Sequence, residues 1–144
     1  MKHYNFFKYL TIVSGLTLVY IGCKFLLQPE IAEHGFGIDV NTGGDYSFHY
    51  IKGIRDLFSG AIITLLAALN MRKALLVVLL SGIFVPIVDM TLVLQATHGN
   101  VMTAMPHIIA IVLTAIAAVG IQFYGPRAEK ASASLAAVGT PAIR

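Results

Sequence analysis

Hydrophobic positions along the chain come in long blocks, not in alternation. Charge-free runs cover 9–23, 57–71, 74–88 and 90–126, the last interrupted by the polar stretch "QATHGN". A transmembrane helix needs about 20 mostly apolar residues to cross roughly 30 Å of hydrocarbon. The run 90–126 is long enough for one crossing plus the end of another. The pattern predicts an all-α, polytopic membrane protein: a four-transmembrane-helix bundle with spans near 7–28, 50–71, 74–97 and 101–124. These make one membrane domain over 1–126, with an outer loop at 28–49. The small, polar segment 127–144 is expected to be a mobile C-terminal tail.

The second span cannot begin at Leu57, because 57–71 alone is too short to cross. It must reach back through "HYIKGIRD", which carries Lys52, Arg55 and Asp56 into the helix. Lys52 and Asp56 are four apart and share a face, a pairing that favours the helix. Pairs of glycines spaced by seven, Gly15 with Gly22 and Gly53 with Gly60, predict close helix packing.

Composition sharpens the membrane reading. The 144 residues are 57% hydrophobic and 12% charged, with a mean hydropathy of +0.79, whereas soluble domains carry about 25% charged residues. The basic residues gather at alternate ends of the spans: Lys2 and Lys8, then Arg72 and Lys73, then Arg127 and Lys130. The 28–49 loop instead carries Glu30, Glu33, Asp39 and Asp45, with no Lys or Arg. Lys and Arg collect on the cytoplasmic side, so both termini are expected in the cytoplasm of a bacterial inner membrane. The net charge of +3 is this asymmetry; no basic stripe interleaved with aromatics marks a nucleic-acid partner. The first span reads as a retained helix, not a cleaved signal, because apolar "FLL" continues beyond Lys24 and Tyr20 is too bulky for a lipoprotein site. Cys23 is the only cysteine, which excludes an internal disulfide and a Cys-x-x-Cys redox pair.

Candidate chemistry lies inside the spans. Asp89 sits three residues after Pro86, which frees the carbonyl of Gly82. Pro106-His107 opens the fourth span. From span midpoints, Asp56 falls roughly 7 Å, Asp89 roughly 5 Å, His107 roughly 8 Å and Lys24 roughly 10 Å to the outer side of the midplane. A charge at a helix centre costs about 2.5–3.5 kcal/mol on insertion scales, so these groups should turn inward and pair. The charges of Lys52, Arg55, Asp56 and Asp89 sum to zero.

These residues predict an outward-facing polar pocket for a small lipophilic or anionic molecule. Lys52 and Arg55 would hold negative charge and Asp56 would orient them, while Asp89 and His107 are the candidate catalytic pair for acid–base exchange. No activated Ser or Cys nucleophile accompanies them. Three alternatives stay open. The charges can serve as a neutral network that pins helix register. The chain can be a non-enzymatic membrane partner or assembly subunit, including a homo-oligomer. It can also conduct protons or transport a solute as an oligomer. The expected partners are the lipid bilayer, the small lipophilic or anionic ligand of the pocket and a second copy of the chain; no nucleic acid and no cofactor is expected.

The 28–49 connection is long for a loop, carries four glycines and offers Phe36 and Ile38 for burial; it reads as a lid over the pocket. Its "DVNTGGD" lacks the terminal acidic ligand of a calcium loop, having Tyr50 there, and reads as an ordinary glycine turn. His34, His49 and His98 match no zinc spacing, so no metal is expected.

The segments "FLLQPEIAEHGFGI" and "KGIRDLFSG", the third-span "VDM" and the fourth-span "PHI" resemble, in the same order, the small membrane proteins catalogued as domain of unknown function 4267. That resemblance implies a four-helix membrane protein, carries no established activity, and extends to Lys52, Arg55, Asp56, Asp89 and His107. A more distant likeness to DoxX-type four-helix proteins implies redox or quinone partners, which the missing cysteine pair does not support.

Overall fold

The computed structural model describes residues 2–40 and 43–138. Its order is α1 (Lys2–Leu27), α2 (Pro29–Phe36), α3 (Ser47–Ala68), α4 (Arg72–Gly82), α5 (Phe84–Ala96) and α6 (Val101–Val138). The described residues are all helix, turn and irregular chain, with no strand. Three helical stretches among them are long and apolar enough to cross a membrane: Lys2–Leu27, Arg72–Ala96 and Val101–Gly125. Large apolar side chains cover the outside, among them Phe6, Phe58, Phe84 and Phe123, each more than 60% exposed. An exterior of that kind belongs in lipid, and the protein is membrane-embedded. α3 is 22 residues long, and Lys52, Arg55 and Asp56 set it apart from those three stretches.

Local chemistry explains where the helices stop. α4 and α5 are one apolar rod broken only at Ile83, because Pro86 has no N–H to return to the Gly82 carbonyl. Asn100 caps α6, its side-chain oxygen accepting from the N–H of Met102 at 3.1 Å. Its last described turn ends at Val138, so the expected tail partly continues the helix, and 139–144 lie outside the described residues. The expected loop at 28–49 holds a helix of its own. Pro29 opens α2, and Gly37 closes it in the left-handed region at φ 97°, its N–H donating to the Glu33 carbonyl. The glycine-turn reading of "DVNTGGD" rests partly on Asn41 and Thr42, which lie outside the described residues.

α1 and α3 form the tightest pair, and the predicted glycines are the reason. Gly22 meets Gly53 and Gly15 meets Gly60, as an antiparallel pair with seven-residue spacing requires. A Cβ placed on Gly22 would stand 2.6 Å from the Gly53 carbonyl oxygen, and one on Gly60 would strike the Gly15 carbonyl. Only glycine allows that approach, which gains backbone contact where lipid offers no hydrophobic drive.

Two apolar clusters close the bundle. Ala67, Leu75, Leu79, Ala117, Ala118 and Ile121 pack at one end. Phe25, Ala32, Phe36, Val93 and Ala104 pack at the other, joining α2 to α1, α5 and α6.

Candidate functional site

α3 presents Lys52 and Asp56 one turn apart, both buried. The Lys52 ammonium donates to Asp56 Oδ2 at 2.8 Å and to Asp89 Oδ2, on α5, at 3.2 Å. Arg55 donates through Nε to Asp56 Oδ1 at 3.2 Å and through Nη2 to Asp89 Oδ2 at 3.0 Å. The two cations and two carboxylates thus form a closed ring, each group facing both groups of opposite sign. Taking these ions out of water costs several kcal/mol each, and a neutral ring offsets that cost where a lone pair would leave a remainder. Lys52 also lies 4.7 Å from the centre of the Phe36 ring and 5.2 Å from that of Phe25. A desolvated ammonium between ring faces gains further electrostatic attraction. Arg55 differs from the rest: its side chain is 39% exposed, so it reaches the ring from the outside.

His107 lies apart from the ring. Its Nε2 is 3.0 Å from the carbonyl oxygen of Phe36. A carbonyl only accepts, so Nε2 carries the proton and, in the neutral ring, Nδ1 holds the lone pair. The Phe36 side chain packs edge-on against the same imidazole at 5.0 Å. One residue of α2 therefore touches both Lys52 and His107, while Asp89 and His107 share no hydrogen bond among the described residues.

The structure adds a buried pair that the charge pattern did not single out. Glu33 Oε2 and His49 Nε2 are 2.8 Å apart, with side chains 8% and 0% exposed. Glu33 also accepts the Val40 N–H at 3.1 Å. The carboxylate fixes the proton on His49 Nε2. His49 Nδ1 is buried with no hydrogen-bond partner among the described residues, amid the rings of Phe25, Tyr46 and Phe48. Spacing held the signal: Ala32, Glu33 and Phe36 are the buried face of α2, and a buried carboxylate demands a partner.

A cavity of about 770 Å³ lies among α1, α3, α4, α5 and α6. Lys52, Asp56, Asp89 and His107 line it, as does Lys24 from α1; Arg55 does not. Its remaining lining is mainly apolar and includes the exposed side chains of Val13, Tyr20, Phe58 and Ile109. Ala32, Gly35 and Phe36 of α2 line it too. No group of three or more His, Cys, Asp or Glu placed to hold a metal occurs among the described residues.

A family model described as Domain of unknown function (DUF4267) matches residues 15–121. The chain belongs to that family. The match takes in the α1–α3 glycine pairs, α2, the charge ring and His107, while Val13 of the cavity lining precedes it. No curated protein and no solved structure matches the chain.

Proposed function

We propose that this member of the family crosses the membrane four times and binds a small lipophilic molecule, drawn from the bilayer, in the cavity beside its charge ring. One observation carries the reading. A space of about 770 Å³ combines a mainly apolar lining with Lys52, Asp56, Asp89 and His107. Ligand sites typically enclose about 300–1,000 Å³, apolar with a few placed polar groups. Exposed apolar side chains within the lining give such a molecule a route in from lipid.

The same reading makes α3 the fourth crossing, since its 22 residues extend about 33 Å and its charges are neutralised within the bundle. Two contacts support the predicted orientation. Lys8 donates to Asn70 Oδ1 at 2.8 Å, and Arg72 donates to Gln122 Oε1 at 3.4 Å. The N-terminal stretch, the α3–α4 turn and the Gln122 region of α6 thus share one basic, cytoplasmic end. The cavity then opens toward the outer half of a bacterial inner membrane.

The test is uptake of hexadecanol and hexadecanoate by the full chain in phosphatidylcholine nanodiscs, measured against empty discs. Ala110→Phe fills the cavity, and about a tenfold loss of uptake is expected. Equal uptake by wild type and Ala110→Phe, or by wild type and empty discs, overturns the reading.

His107 favours a second reading, acid–base chemistry on the bound molecule. It lines the cavity and its Nε2 proton is committed to Phe36, which leaves Nδ1 to exchange protons. Mass spectrometry of molecules extracted from wild type and from His107→Gln decides it. A different molecule or isomer in the variant supports turnover; an identical one leaves binding alone.

A further inference from the structure

Lys24 is a cation in the cavity lining that no carboxylate among the described residues answers. Of the chain's seven acidic residues, Glu129 lies outside the residues whose side chains are described. The others are all engaged elsewhere. Glu30 takes the Tyr46 hydroxyl and Asp45 the Ser47 N–H. Glu33 takes His49 and Asp39 takes His34. Asp56 and Asp89 are closed within the ring. With Arg55 counted the ring sums to zero, so Lys24 is the one cation of the lining that has no counter-ion among the described residues.

Lys24 stands in the last turn of α1, where the helix end supplies about −0.5 of an elementary charge. α2 starts at Pro29, directly after α1 ends at Leu27. The opposite half-charge of its N-terminus cancels that contribution. Lys24 is half-buried, so lipid and protein remove part of its water while leaving a face on the cavity. A lysine needs an anion there, and the described residues supply none.

We propose that Lys24 is the headgroup site of the cavity and that the ligand is a lipophilic monoanion. Its apolar body fills the space between α1 and α6, and its single negative charge meets the Lys24 ammonium. The ring is not that site. Lys52 already faces two carboxylates and two aromatic rings, and Arg55 faces two carboxylates without lining the cavity. One unanswered positive charge selects one negative charge, whether a free carboxylate or the phosphodiester of a lysophospholipid.

This inference rests on the cavity reading, and comparing three probes of similar chain length separates the two. Hexadecanoate, hexadecanol and palmitoyl-lysophosphatidylglycerol are titrated against the full chain in phosphatidylcholine nanodiscs. Wild type should bind hexadecanoate about tenfold more tightly than hexadecanol. Lys24→Met should abolish that ratio while hexadecanol still binds, and Lys24→Arg should retain it. Survival of hexadecanol binding also shows that Lys24→Met is folded. Preference for hexadecanoate alone assigns a carboxylate head; preference for both anions assigns the monoanion generally. Equal binding of alcohol and acid by wild type overturns the headgroup assignment and leaves the cavity standing. A ratio unchanged in Lys24→Met overturns it as well. Absence of binding by any probe removes both readings.

Discussion

Glu33 on α2 grips His49 on α3 across 2.8 Å, with both side chains shut away from solvent. This contact fastens the short helix over the mouth of the bundle. Glu33→Ala leaves both the imidazole and the Val40 N–H without their acceptor, at a cost of about 1.5–3 kcal/mol for a bond to a charged group. The expected result is a lower unfolding temperature, with faster amide exchange over 29–37 than over α1. Uniform exchange in both segments would show that Glu33 does not fasten α2.

The ring of Lys52, Asp56, Arg55 and Asp89 makes a sharper claim, because its members are coupled. Asp89→Ala strands positive charge in the bundle and should destabilise by about 3–5 kcal/mol. Arg55→Met with Asp89→Leu removes one charge of each sign and leaves Lys52 with Asp56. The double variant should lose clearly less than the sum of the two single losses. Chemical denaturation in detergent measures all four states of the cycle, and strict additivity would dissolve the ring as an energetic unit.

Glycine substitutions separate close packing from mere composition. Gly22→Ala places a methyl group against the Gly53 carbonyl and should cost about 1–3 kcal/mol through overpacking. Gly35→Ala meets nothing within 4 Å and sits inside α2, so it should stabilise that helix by about 0.5–1 kcal/mol. Opposite shifts in unfolding temperature are the expected pair.

The start of α3 responds to acid. The Ser47 side chain and N–H both bond the Asp45 carboxylate and hold it below its ordinary value of 3.8. A carboxyl depressed on folding adds stability above its unfolded value, and that contribution is lost as pH falls through the folded one. Carbon-detected NMR of Asp45 should give a titration below 3.8 that Ser47→Ala moves back up. The window lies in acid, so α3 should begin unchanged at neutral pH.

Much of this architecture is legible in the sequence, for identifiable reasons. A charge in an apolar span must find an opposite one, so Lys52, Arg55, Asp56 and Asp89 announce each other without coordinates. The seven-residue glycine spacing likewise announces a close pair of helices. α2 is harder to see, because eight residues are too few for a periodic signal. Only its bounding Pro29 and Gly37 mark it. His107 is a residue whose partner cannot be read at all: it bonds the backbone of Phe36, and a carbonyl has no sequence signature. Lys24 falls in the expected layer, yet its importance emerges only once every described carboxylate has been traced to another partner.

The glycine seam between α1 and α3 has a mechanical consequence. Those two helices touch backbone to backbone, so neither can tilt without a clash, and they behave as a fixed jamb. α5 leans chiefly on α6 and joins α4 through the single break at Ile83. Of the walls that α1, α3, α4, α5 and α6 make around the cavity, α5 is therefore the one least tied to its neighbours by backbone contact, and the bonds of Asp89 to Lys52 and Arg55 are what latch it to α3.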